Sequence, residues 1–199
     1  MGDALRKQFV AEKQYTYGEK QYTYADYRQW ELAEGERYEL IEGAAYAMSS
    51  PNDRHQAISM ELSRQLANFL HGKPCKVRAA PYDVRLFYQE DEQDDTVVQP
   101  DISVICDEKK LGPEGCRGAP DLVIEIISPS NTGSEYIRKF NLYLESGVRE
   151  YWLVSPEHQF VQVNLLKNGK YLSEIHKAGT ALPVSVLEGL SIPLNDVFG

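Results

Sequence analysis

The sequence predicts a mixed α/β domain with a mixed central β-sheet, flanking helices and antiparallel hairpins. Three observations predict this fold class. Strand patterns come first along the chain, a helix later connects two strongly apolar strands, and a hairpin pattern follows near the C-terminus. Since no internal linker divides the chain, we expect a polar extension over 1–21 and one domain over 22–199.

The first predicted elements are a short helix and a hairpin. Thr23 and Asp26 have the spacing of a capping box, which predicts a helix start directly after Thr23. Two strand patterns, 38–41 and 44–48, then flank Glu42-Gly43. This dipeptide predicts a tight turn that joins the two strands as a hairpin.

A longer amphipathic helix follows the hairpin. Ser50-Pro51 offers an N-cap with proline at the first helical position, and Gly72 ends the pattern. One face of this helix should pack on the sheet, because its apolar residues form a single stripe: Ile58, Leu62, Leu66 and Phe69. We expect the next strand at about 77–87, before an acidic segment, 90–95, that predicts a solvated loop.

Two further strand patterns each hold a charge inside an apolar run. Asp101 lies within 96–105, and Glu125 lies within 121–127. Because an ionised carboxylate in such a strand needs a cation, a proton or strong donors, these two residues are the most informative in the chain. Each one alone is also compatible with an ordinary salt bridge.

The remaining elements form a helix-crossed strand pair and a hairpin. The segment 128–132 supplies capping residues for a helix over about 133–146, which Gly147 ends. The apolar run 150–154 predicts a buried strand. Two strand patterns within 160–176, joined through Asn168-Gly169, predict the hairpin.

Composition excludes several classes of protein. The net charge of −9 argues against a general polyanion-binding surface, so nucleic-acid binding must depend on a local patch. The three cysteines, an odd number without CxxC spacing, are interpreted as reduced thiols, and the scattered histidines disfavour a zinc hydrolase. Without an apolar span or a signal peptide, the chain is expected to be cytoplasmic and not to bind a membrane.

The alternation of side chains along a strand indicates how the acidic residues can meet. Gln99 and Asp101 point to one side of their strand, and Glu125 points to one side of its own. If the strands are neighbours and these sides match, two carboxylates form an oxygen-rich site that suits Mg²⁺ or Mn²⁺. Such ions serve in phosphodiester hydrolysis, which also needs a positive charge near the phosphate.

Lys139 is the candidate for that positive charge. The apolar arc of its predicted helix consists of Tyr136, Ile137, Phe140, Tyr143 and Leu144. Lys139 lies about 100° from the centre of this arc, so it could bend toward the sheet. The alternative is an exposed i, i+4 pair with Glu135. Glu39 could add a third carboxylate, and a second group of residues could bind the substrate: Arg54, His55 and Gln99.

These residues lie in segments that resemble the Uma-type restriction endonuclease family, within the PD-(D/E)XK nuclease superfamily. The matching stretches follow in order from about residue 22 to the C-terminus: 37–43, 54–56, 81–86, 98–104, 118–126, 128–130 and 147–154. A series of this kind is far more specific than any single motif.

The resemblance implies a restriction-endonuclease-like core in which Asp101 and Glu125 bind the metal from adjacent strands. The superfamily lysine would stand two residues after the second acid, where this chain has Ile127. In this family the lysine is displaced to the following helix, which matches Lys139. Glu39 matches an acidic position that supports the metal.

The leading hypothesis from the sequence is a Mg²⁺- or Mn²⁺-dependent DNA endonuclease. A catalytically weak or inactive protein that keeps the nuclease fold for nucleic-acid binding or regulation is the alternative, motivated by the acidic charge and the displaced lysine. A phosphohydrolase of small nucleotides is a third hypothesis. Aromatic segments such as Tyr15-Thr16-Tyr17 also favour a homodimer.

Overall fold

The computed structural model describes residues 21–128 and 132–199, and it places their strands in two six-stranded sheets and one two-stranded ribbon. Apart from Gln21, the expected extension over 1–21 lies outside the described residues, as does Tyr15-Thr16-Tyr17. Within the described ranges, no helix combines the length and apolarity that a membrane crossing requires.

The helices are α1 (Tyr24–Tyr27), α2 (Asp53–Leu70), α3 (Gly133–Ser146) and α4 (Leu194–Phe198). The first sheet holds β1 (Tyr38–Ile41), β2 (Ala44–Ala47), β4 (Val84–Arg85), β5 (Val97–Val98), β7 (Leu111–Gly112) and β8 (Gly115–Arg117). The main sheet holds β3 (Lys76–Ala79), β6 (Ile102–Ile105), β9 (Leu122–Ile126), β10 (Glu150–Ser155), β11 (Phe160–Lys167) and β12 (Lys170–Lys177). The ribbon consists of β13 (Ala181–Pro183) and β14 (Ser191–Pro193).

The main sheet has the strand order β12-β11-β10-β9-β6-β3. Its only parallel neighbours are β9 and β10, because α3 returns the chain to the same end of the sheet between them. Strands β6 and β9 are antiparallel neighbours, with Ile102 opposite Ile124. Mixed strands with helices on both faces confirm the predicted fold class.

Two apolar cores lie on opposite faces of the main sheet. On one face, α2 and the C-terminal segment pack against side chains such as Ile102, Ile124 and Trp152. On the other face, α3 and the first sheet pack against Val123 and Tyr151. Since side chains alternate along β9, Glu125 lies on the second face with Val123, toward α3.

Both predicted hairpins are confirmed. Glu42 and Gly43 join β1 and β2, and Asn168 and Gly169 join β11 and β12, all four with positive φ. This backbone is the one that two-residue hairpin loops require.

Two long predicted strands are each divided between the sheets. The segment expected as one strand over 77–87 forms β3 in the main sheet and β4 in the first sheet, with Pro81 between them. Proline cannot donate to a strand ladder, which explains the break. The run 96–105 likewise forms β5 and β6, and Gln99 to Asp101 connect the two sheets.

The acidic segment 90–95 is not fully solvated, contrary to the prediction. Asp94 is buried and forms an ion pair with the buried Arg85, whose guanidinium also lies over the rings of Tyr24 and Tyr88. A buried carboxylate requires such a partner. This pair therefore anchors the loop to the first sheet.

Two local predictions were wrong. Helix α2 begins after Asn52, not Ser50, because the Asn52 side chain accepts the N–H of His55. Cys75 and Cys106 are not free thiols but form a disulfide, since they directly extend the β3–β6 pairing. The C-terminal segment, for which the sequence predicted no element, forms α4 and contributes buried residues to the core.

Candidate active site

Asp101 and Glu125 lie on the same face of the main sheet. Asp101 directly precedes β6, and continuing the β6–β9 register places it opposite Glu125. Their side chains are 19% and 12% exposed, and both line one cavity. The convergence of the two carboxylates, on which the predicted chemistry depends, is present in the structure.

One carboxylate oxygen of Asp101 contacts neighbouring groups of the protein. Its Oδ2 accepts the backbone N–H of Ile126 at 2.7 Å and lies 3.1 Å from Nε2 of His55. The hydrogen bond to Ile126 ties the end of β6 to the end of β9. Among the described residues, no donor contacts the other oxygen, Oδ1, which remains open to a ligand.

Glu125 likewise uses only one of its two carboxylate oxygens in hydrogen bonds within the described chain. Its Oε1 accepts hydrogen bonds from Lys139 Nζ at 3.0 Å and from the Tyr143 hydroxyl at 2.6 Å. Its Oε2 has no donor in the part of the chain that the structure describes. Two donors on α3 therefore orient the carboxylate and leave its second oxygen available.

Lys139 is a buried residue of the site and not an exposed partner of Glu135. Its Nζ lies 3.0 Å from Glu125 Oε1 and 3.0 Å from Glu39 Oε1, and the residue is 6% exposed. The apolar arc expected on this helix was misplaced, since Ile137 is 65% exposed. Glu39 in the first sheet and Glu125 in the main sheet attract Lys139, so the face of α3 that carries this lysine is turned inward.

Glu39 connects Lys139 to the strand that carries Asp101. Besides the lysine contact, its Oε1 accepts the backbone N–H of Gln99 at 2.9 Å. Gln99 itself turns its amide away from the carboxylate pair, and Nε2 donates to Asp83 Oδ1 at 2.8 Å. Gln99 Oε1 is buried and has no partner among the described residues, although the residue lines the cavity.

His55 is buried beside Asp101, whereas Arg54 is exposed outside the cavity. His55 is buried in the first turn of α2, and burial lowers its pKa, but the hydrogen bond and charge of Asp101 together with the charge of Glu125 raise it more. Its pKa is therefore raised overall. Arg54 is exposed and does not line the cavity, so the structure does not bring it together with the other candidates.

The cavity around these groups has a volume of about 330 Å³. Its floor is formed by the carboxylates and Lys139, and its walls come from the β1–β2 hairpin, α2 and α3. Arg37 and Arg138, which the sequence did not single out, also line it. The Arg138 guanidinium lies 4.2 Å from the centre of the Tyr46 ring.

Three carboxylates and one lysine meet at the buried end of the cavity. Burial raises the pKa of Glu125 to about 7, Lys139 opposes this effect, and the charges of Asp101 and Glu39 add to it. Burial lowers the pKa of Lys139, but the charges and hydrogen bonds of Glu125 and Glu39 outweigh this cost, so its pKa is raised. Two carboxylates thus share Lys139, Asp101 adds a third acidic group, and a cation would relieve their repulsion.

The donor set fits a magnesium or manganese ion. No cluster of three or more His, Cys, Asp or Glu side chains within 21–128 and 132–199 is arranged to hold a metal. Mg²⁺ does not need one, since it keeps several waters and binds through one or two carboxylates and substrate oxygens. Asp101 and Glu125, which lie opposite each other in the strand register and each have one open oxygen, would hold the ion, while Glu39 accepts hydrogen bonds from Lys139 and from the backbone of Gln99.

Tyr143 is a site residue that the sequence reasoning missed. It was assigned to the apolar arc of α3, but its buried hydroxyl donates to Glu125. Burial raises its pKa well above the ordinary value, so the hydroxyl stays protonated and remains a donor. The available signal was its spacing, four residues after Lys139, which places both side chains on one helix face.

The sequence of the chain is similar to a family model and to two cyanobacterial proteins. The family model "Uma2: Putative restriction endonuclease" matches residues 24–195. The chain is 30% identical over 177 residues to the uncharacterized protein slr1290 of Synechocystis sp., covering 87% of this chain and 89% of that protein. A second Synechocystis protein, sll1609, is 28% identical over 121 residues, or 60% of this chain and 66% of that one.

A solved structure shares the fold. The crystal structure of a "putative nuclease belonging to DUF820" from Anabaena variabilis superposes with a TM-score of 0.71, covering 89% of this chain and 97% of that chain. The sequence identity is 22%, so this likeness concerns the fold alone. It supports a restriction-endonuclease-like architecture for the chain.

Proposed function

Because the chain belongs to the Uma2 family, whose model describes restriction endonucleases, we propose that it is a metal-dependent endonuclease that hydrolyses phosphodiester bonds in DNA. The observation that carries the proposal is the contact between Lys139 and Glu125, at 3.0 Å, beside Asp101 in one cavity. Two open carboxylate oxygens next to a buried ammonium match what phosphodiester hydrolysis needs.

Each side chain has a distinct role in this proposal. Asp101 and Glu125 would bind Mg²⁺ or Mn²⁺ through their open oxygens, and the bound ion would lower the pKa of a water molecule and offset phosphate charge. Lys139 has three N–H donors, of which Glu39 and Glu125 occupy two. The third donor is free to orient the attacking water or to stabilise charge on the phosphate.

Other residues act through these three. Glu39 and Tyr143 are positioning residues, since the first holds the lysine and the second holds the carboxylate. His55 contacts Asp101 and fixes its orientation at the end of β6. Such supporting hydrogen bonds keep the reacting groups in place before the substrate arrives.

The test is cleavage of supercoiled plasmid in Mg²⁺, in Mn²⁺ and in EDTA. We expect nicked and linear product with either metal and none in EDTA. Asp101→Asn and Glu125→Gln should abolish cleavage while preserving side-chain volume, and Lys139→Met should lower the rate by a factor on the order of 100 or more. Glu145→Gln, on the exposed side of α3, is the matched control and should cleave as the wild type does.

The outcomes separate the competing functions. Equal cleavage by the wild type and both carboxylate variants would show that a contaminant is responsible. If neither plasmid nor single-stranded DNA is cut with any metal and DNA binding ignores Mg²⁺, a binding or regulatory protein that has kept the fold is favoured. Phosphate release from mononucleotides with intact plasmid would favour a small-nucleotide phosphohydrolase.

A further inference from the structure

We propose that Arg37 and Arg138 bind the backbone phosphates on either side of the scissile bond and that the DNA strand they receive is unpaired. This inference rests on the proposed nuclease function and extends it to the class of substrate. Arg37 begins the stretch 37–43 that resembles the family, but the sequence analysis assigned neither arginine to the site.

The first argument is that both guanidinium groups have no acidic partner. Among the described residues, neither Arg37 nor Arg138 forms an ion pair, although both line a cavity rich in carboxylates. Arg54, Arg78 and Arg117 form no ion pair among the described residues either, but they do not line the cavity, so Arg37 and Arg138 are distinguished by their position. Unpaired arginines in the wall of such a cavity are suited to an anionic ligand, and the planar guanidinium matches phosphate with two parallel hydrogen bonds.

The second argument concerns where the two arginines stand. Arg37 and Arg138 line the same cavity as Asp101, Glu125 and Lys139. A strand whose scissile phosphate lies over the carboxylate pair can therefore bring its neighbouring phosphates to the arginines.

The third argument is that Arg138 is held in place before the substrate binds. Its guanidinium stacks on the Tyr46 ring at 4.2 Å, a contact that limits rotation of a long side chain. Since less side-chain freedom is then lost on binding, the phosphate contact gains affinity.

The fourth argument concerns the form of the substrate. The carboxylates are 12% and 19% exposed at the floor of a cavity of about 330 Å³, so the reacting phosphate must enter the cavity. The backbone of a duplex is fixed to stacked base pairs, whereas a single strand can bend inward. Tyr136 in the wall offers a ring face for an unstacked base, as single-strand binding sites do.

The test is fluorescence anisotropy with a labelled DNA oligonucleotide, either single-stranded or annealed to its complement, in EDTA. We expect the wild type to bind the single strand at least about tenfold more tightly than the duplex. Arg37→Ala and Arg138→Ala should each weaken single-strand binding about tenfold and reduce its salt dependence by about 0.7 in logarithmic slope. Arg37→Lys and Arg138→Lys should restore the slope but only part of the affinity.

Lys167→Ala is the control, because it removes one positive charge at the exposed end of β11, outside the cavity. The inference fails if the alanine variants bind like this control, if the duplex binds as tightly as the single strand, or if the wild type binds neither probe. Thermal melting confirms that each variant is folded.

Binding without metal separates this inference from the proposed function. A chain that cuts no DNA can still bind a single strand through the two arginines. A chain that cuts DNA but binds it independently of the arginines refutes only the inference.

Discussion

Replacing Lys139 by methionine should destabilise the protein because two buried carboxylates then lose their shared cation. Glu39, Glu125 and Lys139 side chains are 5%, 12% and 8% exposed, so water cannot replace the lost charge. Removing one partner of a buried ion pair costs about 3–5 kcal/mol. Since Glu125 can take up a proton near pH 7, we expect the lower end of that range.

The stability lost by the Lys139→Met variant should increase as pH rises. Burial raises the pKa of Glu125 from an ordinary 4.5 to about 7, so the folded state binds more protons than the unfolded state between these values. The free energy of unfolding therefore falls as pH rises through that window. Lys139 lowers the pKa of Glu125, so in the Lys139→Met variant this pKa is higher and the free energy of unfolding keeps falling to a higher pH. The stability lost by the variant relative to the wild type should therefore grow from pH 5 to pH 8.

Urea denaturation monitored by tryptophan fluorescence measures the effect. A loss of about 3 kcal/mol at pH 7 corresponds to a fall in melting temperature of about 6–12 °C for a chain of this size. Adding Glu125→Gln to the Lys139→Met variant should recover part of the loss. Arg138→Met removes a cation without an acidic partner from the same helix and should cost no more than about 1 kcal/mol.

A Lys139→Met variant within 1 kcal/mol of the wild type at pH 7 would contradict the argument. A deficit that is equally large at pH 5 and pH 8 would also do so, because the loss would then not come from charged carboxylates.

Three further predictions follow from single contacts. Tyr143→Phe should cost about 1.5–3 kcal/mol in urea unfolding, since it removes the 2.6 Å hydrogen bond to Glu125, and it should also lower the rate of any metal-dependent cleavage. Arg85→Met should cost about 3–5 kcal/mol, because it leaves Asp94 buried without a cation, and Asp94→Asn in the same chain should relieve the loss. Leu194→Ala should cost about 2–5 kcal/mol by thermal or urea unfolding, since Leu194 is fully buried; a cost near zero would show that α4 does not complete the core.

Much of the fold could be predicted because its signals are local. The turn dipeptides that join β1 to β2 and β11 to β12 need positive φ, and Gly43 and Gly169 supply it. Helix α3 begins after Thr132 and ends at Gly147 in left-handed conformation, as its capping residues predict. Such features depend on a few adjacent residues and not on the rest of the chain.

The division of two strands between sheets could not be predicted. The alternation over 77–87 and 96–105 is equally compatible with one long strand or with two short strands in different sheets. Strands β4 and β5 pair with each other, and their outer partners, β8 and β1, come from other parts of the chain, so the ends of both strands are set by these pairings. The same limitation applies to Cys75 and Cys106, which become neighbours only through the β3–β6 pairing.

The helix face of α3 shows why periodicity alone misplaces a buried charge. By its apolar residues, Ile137 should be inside and Lys139 at the margin, yet the structure places them the other way. The carboxylates that attract Lys139 come from β1 and β9, which lie far from it in sequence. Energies of such long-range pairs are absent from any local pattern.

The sequence by itself determined which residue types were available: two acids inside apolar strands, a displaced lysine, and the turns and caps that fix most element boundaries. Only the tertiary structure decided that the acids share one face, that Glu39 and Tyr143 hold Lys139 and Glu125, and that Arg37 and Arg138 line the cavity without an acidic partner among the described residues. The physical reason is that turns and helix caps depend on adjacent residues, whereas contacts between charged side chains depend on distances that only the packing of the helices and strands establishes.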